Sequence, residues 1–169
     1  MEAMLGFYKN FPINVQKVIH FTTAVSNKAL QEALVRCLEK LNSENLHLQD
    51  VTDPSTYDCI VAFEFGIADS DTFNYLDSEE VQKVLGEIRR SSLQIMDFFC
   101  AIRYYREHDG KRSPLKFDYY MLRLIFNRGL VEALIFHERG PRHTPPEDIV
   151  NLIIERINKL YSRKVLKII

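Results

Sequence analysis

Three strand-like runs, Leu93 to Arg106, Phe117 to Phe126 and Leu130 to Arg139, constrain this chain more than any other feature of it. His108-Asp109-Gly110 and Asn127-Arg128-Gly129 separate them, and both carry turn chemistry. Links this short force neighbouring strands to run antiparallel, because a parallel return needs roughly a dozen residues or more. Met96, Phe98, Cys100, Ile102 and Tyr104 fall on one face of the first run, and Tyr120, Leu122, Leu124 and Phe126 on one face of the second. The expectation is a meander.

The remaining elements are read from the same periodicities. Val15 to Val25 is β-branched and aromatic, with Val15, Lys17, Ile19, Phe21, Thr23 and Val25 on one side, and predicts a strand. Ser26 is placed to cap a helix in which Leu30, Ala33, Leu34, Cys37, Leu38 and Leu41 recur at helical spacing, ending near Asn42 and Ser43. Leu46 and Leu48 suggest a short strand, Asp53-Pro54-Ser55 a turn, and Tyr57 to Ile67 a strand with alternate apolar positions. After an acidic loop, Asp77 and Glu80 have capping-box spacing ahead of a helix to about Arg90, whose stripe is Val81, Val84, Leu85 and Ile88. Thr144-Pro145-Pro146-Glu147 reads as cap, first-turn proline and N3 carboxylate of a last helix running to about Arg163. Its apolar positions, Ile149, Leu152, Ile153, Ile157, Leu160 and Tyr161 with Val150 and Ile154 beside them, form a stripe wider than a half-exposed helix needs. That width predicts deep burial or a partner.

The order is β-α-β-β-α-β-β-β-α, an α+β domain over residues 1–169 with a mainly antiparallel sheet of about six strands and three helices largely on one face. Apolar residues make up 46% of the chain, enough for a full core. No apolar run approaches the roughly 20 residues a membrane helix requires. Met1 to Gly6, with Glu2, lacks the pattern of a secretory signal, and Cys37, Cys59 and Cys100 are scattered without CxxC spacing. Together these predict a cytoplasmic protein with buried thiols, no membrane association and no metal or other cofactor. Net charge is −1 but unevenly spread: residues 51–80 carry eight acids and no Lys or Arg, whereas residues 101–143 carry nine bases against five acids. Such asymmetry bears on partners rather than on fold.

Two segments have the residue types for binding. The first is His137-Glu138-Arg139-Gly140-Pro141-Arg142-His143. Placing His137, Arg139, Arg142 and His143 at a helix N-terminus concentrates positive charge where anions are favoured, so a bound phosphate or carboxylate would relieve repulsion. Glu147 and Asp148 in the first turn could supply the same compensation internally. The two histidines stand at no recognised ligand spacing, and the loop with Asp69 and Asp71 lacks the glycine and closing glutamate of a calcium-binding loop. The second is a basic and aromatic set, Arg103, Tyr105, Arg112, Lys116, Tyr119 and Arg123, with Lys111 and Arg128 nearby. Alternation sends Arg103, Tyr105, Tyr119 and Arg123 away from the apolar faces of their strands, toward one outer surface where single-stranded RNA could stack and pair its phosphates.

Signatures of nucleotide folds and of the hydrolase elbow, GxGxxG, GxxxxGK[ST] and GxSxG, do not occur, and no catalytic residue is assigned. The sequence points first to a non-enzymatic binding or assembly module, homo-oligomeric or engaging a protein partner. Single-stranded RNA binding through the outer sheet face is the alternative, and an anion-binding enzyme acting at the loop before the last helix is the third reading.

Overall fold

The computed structural model describes residues 4–52 and 59–169. Its elements run β1 (Lys17–Thr23), α1 (Asn27–Asn42), β2 (Asn45–His47), β3 (Ile60–Asp69), β4 (Thr72–Tyr75), α2 (Ser78–Arg90), β5 (Ile95–His108), β6 (Lys111–Pro114), β7 (Asp118–Asn127), β8 (Leu130–Arg139), α3 (Pro146–Tyr161) and β9 (Leu166–Ile168). A 3-10 turn, Leu48–Asp50, follows β2. The strands form one antiparallel sheet of order β2-β3-β5-β7-β8-β1-β9, with β4 added to β3 and β6 to β5. The fold is α+β, as expected, but among the described residues the sheet has nine strands rather than about six.

The three extra strands have different origins. The acidic loop after β3 is a hairpin that turns at Ser70, where φ is 60°, and pairs β4 back onto β3. The His108-Asp109-Gly110 reversal exists, with φ of 51° at Asp109 and 75° at Gly110, but it returns the chain as β6 rather than directly as β7. β6 and β7 then lie along the same edge of β5, joined by residues 115–117. The third is β9, which pairs with β1 and orders the apolar tail, burying Val165 and Leu166 and leaving Ile168 and Ile169 exposed. The Asp53-Pro54-Ser55 turn and Tyr57 lie outside the described residues, as does Glu2.

All three helices pack on one face. A single core cluster joins Ile19 and Phe21 of β1, Phe63 and Phe65 of β3, Met96 to Tyr104 on alternate positions of β5, Tyr120 to Phe126 on those of β7, and Val131, Ala133 and Ile135 of β8 to the helix stripes. Ser26 caps α1 by accepting from the Ala29 amide at 3.1 Å, an interaction worth about 1 kcal/mol. Asp77 caps α2 through the Glu80 amide at 2.9 Å; the reciprocal half of the capping box is absent, because the Glu80 carboxylate accepts from Asn74 Nδ2 instead. Helix α3 resolves the question its wide stripe raised. Ile149, Val150, Leu152, Ile153, Ile154 and Ile157 are all buried within the chain, and only Leu160 stays largely exposed. No helix among the described residues is long and apolar enough to cross a membrane.

Two side chains of α1 tie the helix layer to the sheet. Gln31, fully buried, donates to the Leu93 carbonyl at 2.6 Å and accepts from the Leu93 amide at 2.9 Å. Asn42 accepts from the Phe65 amide at 2.6 Å and donates to the carbonyls of Phe65 and Leu76. On the opposite face, residues 4–16 cross part of the sheet before entering β1. Gly6 sits where β3 and β5 part, its amide on the Ala68 carbonyl at 2.7 Å and its carbonyl accepting from the Asp97 amide at 2.6 Å. At φ 87°, a side chain there would meet the Ile95 carbonyl at 2.9 Å, so glycine is required.

Candidate functional sites: the Asp118 cluster and the open sheet face

Asp118 opens β7 on the inward register shared by Tyr120 and Leu122, and it is fully buried. Four donors converge on its two oxygens. His137 Nε2 at 3.0 Å and the Arg142 amide at 2.7 Å reach Oδ1, while the Tyr104 hydroxyl at 2.5 Å and the His143 amide at 3.1 Å reach Oδ2. Charge-assisted bonds of this kind are what make a buried carboxylate tolerable. His137 Nδ1 accepts from Arg142 Nε at 3.1 Å, which leaves Nε2 to face Asp118. Tyr104 also meets Thr144 Oγ1 at 2.8 Å, and the Tyr120 hydroxyl donates to the Thr144 carbonyl at 2.5 Å. Burial raises the pKa of Tyr104 well above the ordinary tyrosine range, with the Asp118 hydrogen bond adding to it, and burial raises Tyr120 likewise.

From the basic loop before α3, the Arg142 and His143 amides turn toward the chain's own Asp118, beside His137 Nε2. Gly140 makes the wrap possible: its φ is 120°, and a Cβ there would collide with Asp118 Oδ1 and the Phe117 carbonyl and stand 2.7 Å from Asp118 Cα. Thr144 does not cap α3 as its local sequence suggests. The N-cap position falls to Pro145 without a side-chain bond, because Thr144 is buried against Tyr104 and Tyr120.

Of the four predicted anion ligands, the structure brings three together and separates one. Between β7 and β8 the register shifts, Tyr120 facing His137 and Tyr119 facing Arg139, so Glu138 is an extra residue. This bulge turns His137 inward and Arg139 outward, though strict alternation would put both on one face. Arg139 lies over the Tyr119 ring at 4.5 Å. His143 contributes its backbone to Asp118, and its ring packs edge-on against Tyr104 with centroids 5.0 Å apart. Glu147 and Asp148 lie in the first turn of α3, and the Asp148 carboxylate accepts from the Thr52 hydroxyl. Among the described residues no group of His, Cys, Asp or Glu side chains has the makings of a metal site.

The basic and aromatic set is also divided. Arg123 points outward as alternation requires, but residues 4–16 cover it: it forms a two-point ion pair with buried Asp97 at 2.7 and 2.8 Å, donates to the Tyr8 carbonyl at 3.0 Å, and stacks over Phe11 and Phe7 at 4.5 and 5.1 Å. Arg103 pairs with Glu64 across β3 and β5 at 2.7 Å and lies 5.4 Å above the Phe117 ring. This is one place where the acidic and basic stretches of the sequence meet within the chain. Tyr119 stands among Phe99, Phe117 and Arg139. Tyr105 is half-buried between Ile60 and Pro114, and Arg112 and Lys116 are exposed on and beyond β6.

The outer face holds a feature that the sequence reading passed over. An antiparallel sheet with one solvated face ordinarily alternates apolar and polar residues. Here the outward positions of β7 and β8 include Met121, Ile125, Leu134 and Phe136, all half-buried, with Val18 of β1 exposed beside Leu134. The signal was legible: apolar residues recur on both faces of these strands, with Arg123 and Glu132 among the outward ones.

Comparison with family models, with curated proteins and with solved structures found no match.

Proposed function

We propose that this chain is a non-enzymatic assembly module that associates with a second copy of itself through the open face of β7, β8 and β1. One observation carries the reading: the outward side chains Val18, Met121, Ile125, Leu134 and Phe136 form an apolar, half-exposed surface on a sheet whose other face is already packed by three helices. Two such faces can pack against each other as sheets do in a sandwich, with strands about 30° apart. The wide α3 stripe and the tail no longer support self-association as they did in sequence, since both are largely used within the chain. The buried thiols Cys37, Cys59 and Cys100 suit a cytoplasmic location.

Sedimentation equilibrium tests the reading. The expected result is a dimer at micromolar concentration that becomes a monomer in Leu134→Arg and in Met121→Glu with Phe136→Glu. A monomer at the highest soluble concentration would overturn it. The arginines stacked on Tyr119 and Phe117 favour the second reading, single-stranded RNA on the same face. A monomer whose low-salt RNA binding is lost in Arg139→Glu would move the function there.

A further inference from the structure

A cleft of about 540 Å³ runs between α1 and α3, bordered by Arg36, Lys40, Arg156 and Lys159, with Cys37 and Leu160 supplying apolar wall. Its size is within the roughly 300–1,000 Å³ of small-molecule sites. The one acid on it, Glu44, is committed to Arg156, whose Nη1 and Nη2 stand 3.1 and 2.8 Å from its two oxygens. That hydrogen bond holds the Glu44 carboxyl below its usual range, so it stays ionised beside Arg156. Among the described residues, Arg36, Lys40 and Lys159 form no ion pair with a carboxylate, whereas Arg156 does. Arg36 and Lys40 are like charges at i,i+4, as are Arg156 and Lys159 at i,i+3; Glu32 and Glu155 stand four residues before Arg36 and Lys159, though Glu32 is already paired with Arg89. Helix α2 shows the contrast, since Lys83, Arg89 and Arg90 each have a carboxylate partner.

We propose that this cleft binds a small organic polyanion, a phosphate ester with at least two negative charges. The positive stretch is short. On the N-terminal side of Arg156, α3 presents Glu155 and, two turns back, Asp148 to a second depression shared with Asp50, so an extended polyanion would run from cations into acids. The apolar wall at Cys37 and Leu160 gives an ester's carbon skeleton a surface that inorganic phosphate would leave unused.

Calorimetric titration of the full chain at low salt with adenosine triphosphate, fructose bisphosphate and inorganic tripolyphosphate tests this. At least one ester is expected to bind with Kd below about 1 mM. Arg36→Glu with Lys159→Glu, both exposed positions, should weaken it at least about tenfold, as loss of two exposed charge contacts implies. Lys111→Glu with Arg112→Glu, on β6, should leave it unchanged. Absence of binding by either ester, tripolyphosphate binding alone, or equal loss in the β6 variant would each overturn the proposal.

Discussion

Gly140→Ala is the sharpest test of the clamp around Asp118. A residue with a side chain at φ 120° occupies backbone space that L-amino acids rarely enter, which costs on the order of 1–3 kcal/mol. The new Cβ must also displace Asp118, whose Cα would lie 2.7 Å away, and overpacking of that kind costs roughly another 1–3 kcal/mol. Because Asp118 accepts four hydrogen bonds, moving it weakens several at once rather than one. A loss of about 3 kcal/mol or more is expected, which for a chain of this length lowers Tm by roughly 6–12 °C. Urea titration of the parent, Gly140→Ala, Asp118→Asn and the double variant measures it. Since both changes damage the same clamp, the double variant should lose less than the two singles together, by roughly 0.5–3 kcal/mol. A loss under about 1 kcal/mol in Gly140→Ala, or strict additivity, would refute the geometry.

Two further outcomes follow from the same interior and from the covered arginine. Unfolded tyrosines ionise near 10, whereas Tyr104 and Tyr120 are held neutral in the fold, so above about pH 10 the unfolded state sheds protons first and stability falls by about 1.4 kcal/mol per pH unit for each. Absorbance at 295 nm should therefore show a late step coinciding with loss of far-ultraviolet dichroism; complete tyrosine ionisation below that transition would contradict the burial. Arg123→Ala strands the buried Asp97 carboxylate and should cost about 3–5 kcal/mol, while loosening residues 4–16 enough for faster tryptic cleavage at Lys9. Unchanged stability and cleavage rate would mean the ion pair does not hold that segment.

What the sequence made legible was whatever depends on local period. Val81, Val84, Leu85 and Ile88 are the buried stripe of α2, and the alternate positions of β5 and β7 are the inward faces named from spacing. Strands β4 and β6 escaped because they carry little apolar pattern; Lys111 to Pro114 is exposed throughout and exists as a strand by backbone pairing with the overhanging end of β5. The bulge at Glu138 has no compositional mark, and it alone decides that His137 and Arg139 part company. Asp118 did leave a trace, a carboxylate on the inward register of an apolar strand, but its partners come from β5, β8 and the loop before α3. Thr144 has every local reason to cap α3 and is claimed instead by two tyrosines 40 and 24 residues away. Arg123 faces outward as its parity demands, yet its carbonyl partner Tyr8 is 115 residues distant, beyond any local rule.

The fate of the cations narrows what this protein can offer a partner. The basic excess of residues 101–143 suggests an open electropositive surface, but the fold spends much of it internally. Arg142 donates its Nε to His137, Arg123 is capped by Asp97 and the N-terminal segment, and Arg103 is held by Glu64. A surface whose arginines already have carboxylates or ring faces has less to gain from phosphates, because each new contact must displace an old one. The apolar outward positions of β7 and β8 are only half-buried, and covering what remains exposed would contribute about 25 cal/mol for each Å² removed from water. That asymmetry is the reason the open face is read as a protein interface before a nucleic-acid one. It is also the reason Arg36, Lys40 and Lys159 of the α1–α3 cleft, remote in sequence from the basic stretch, are where an anionic ligand is expected.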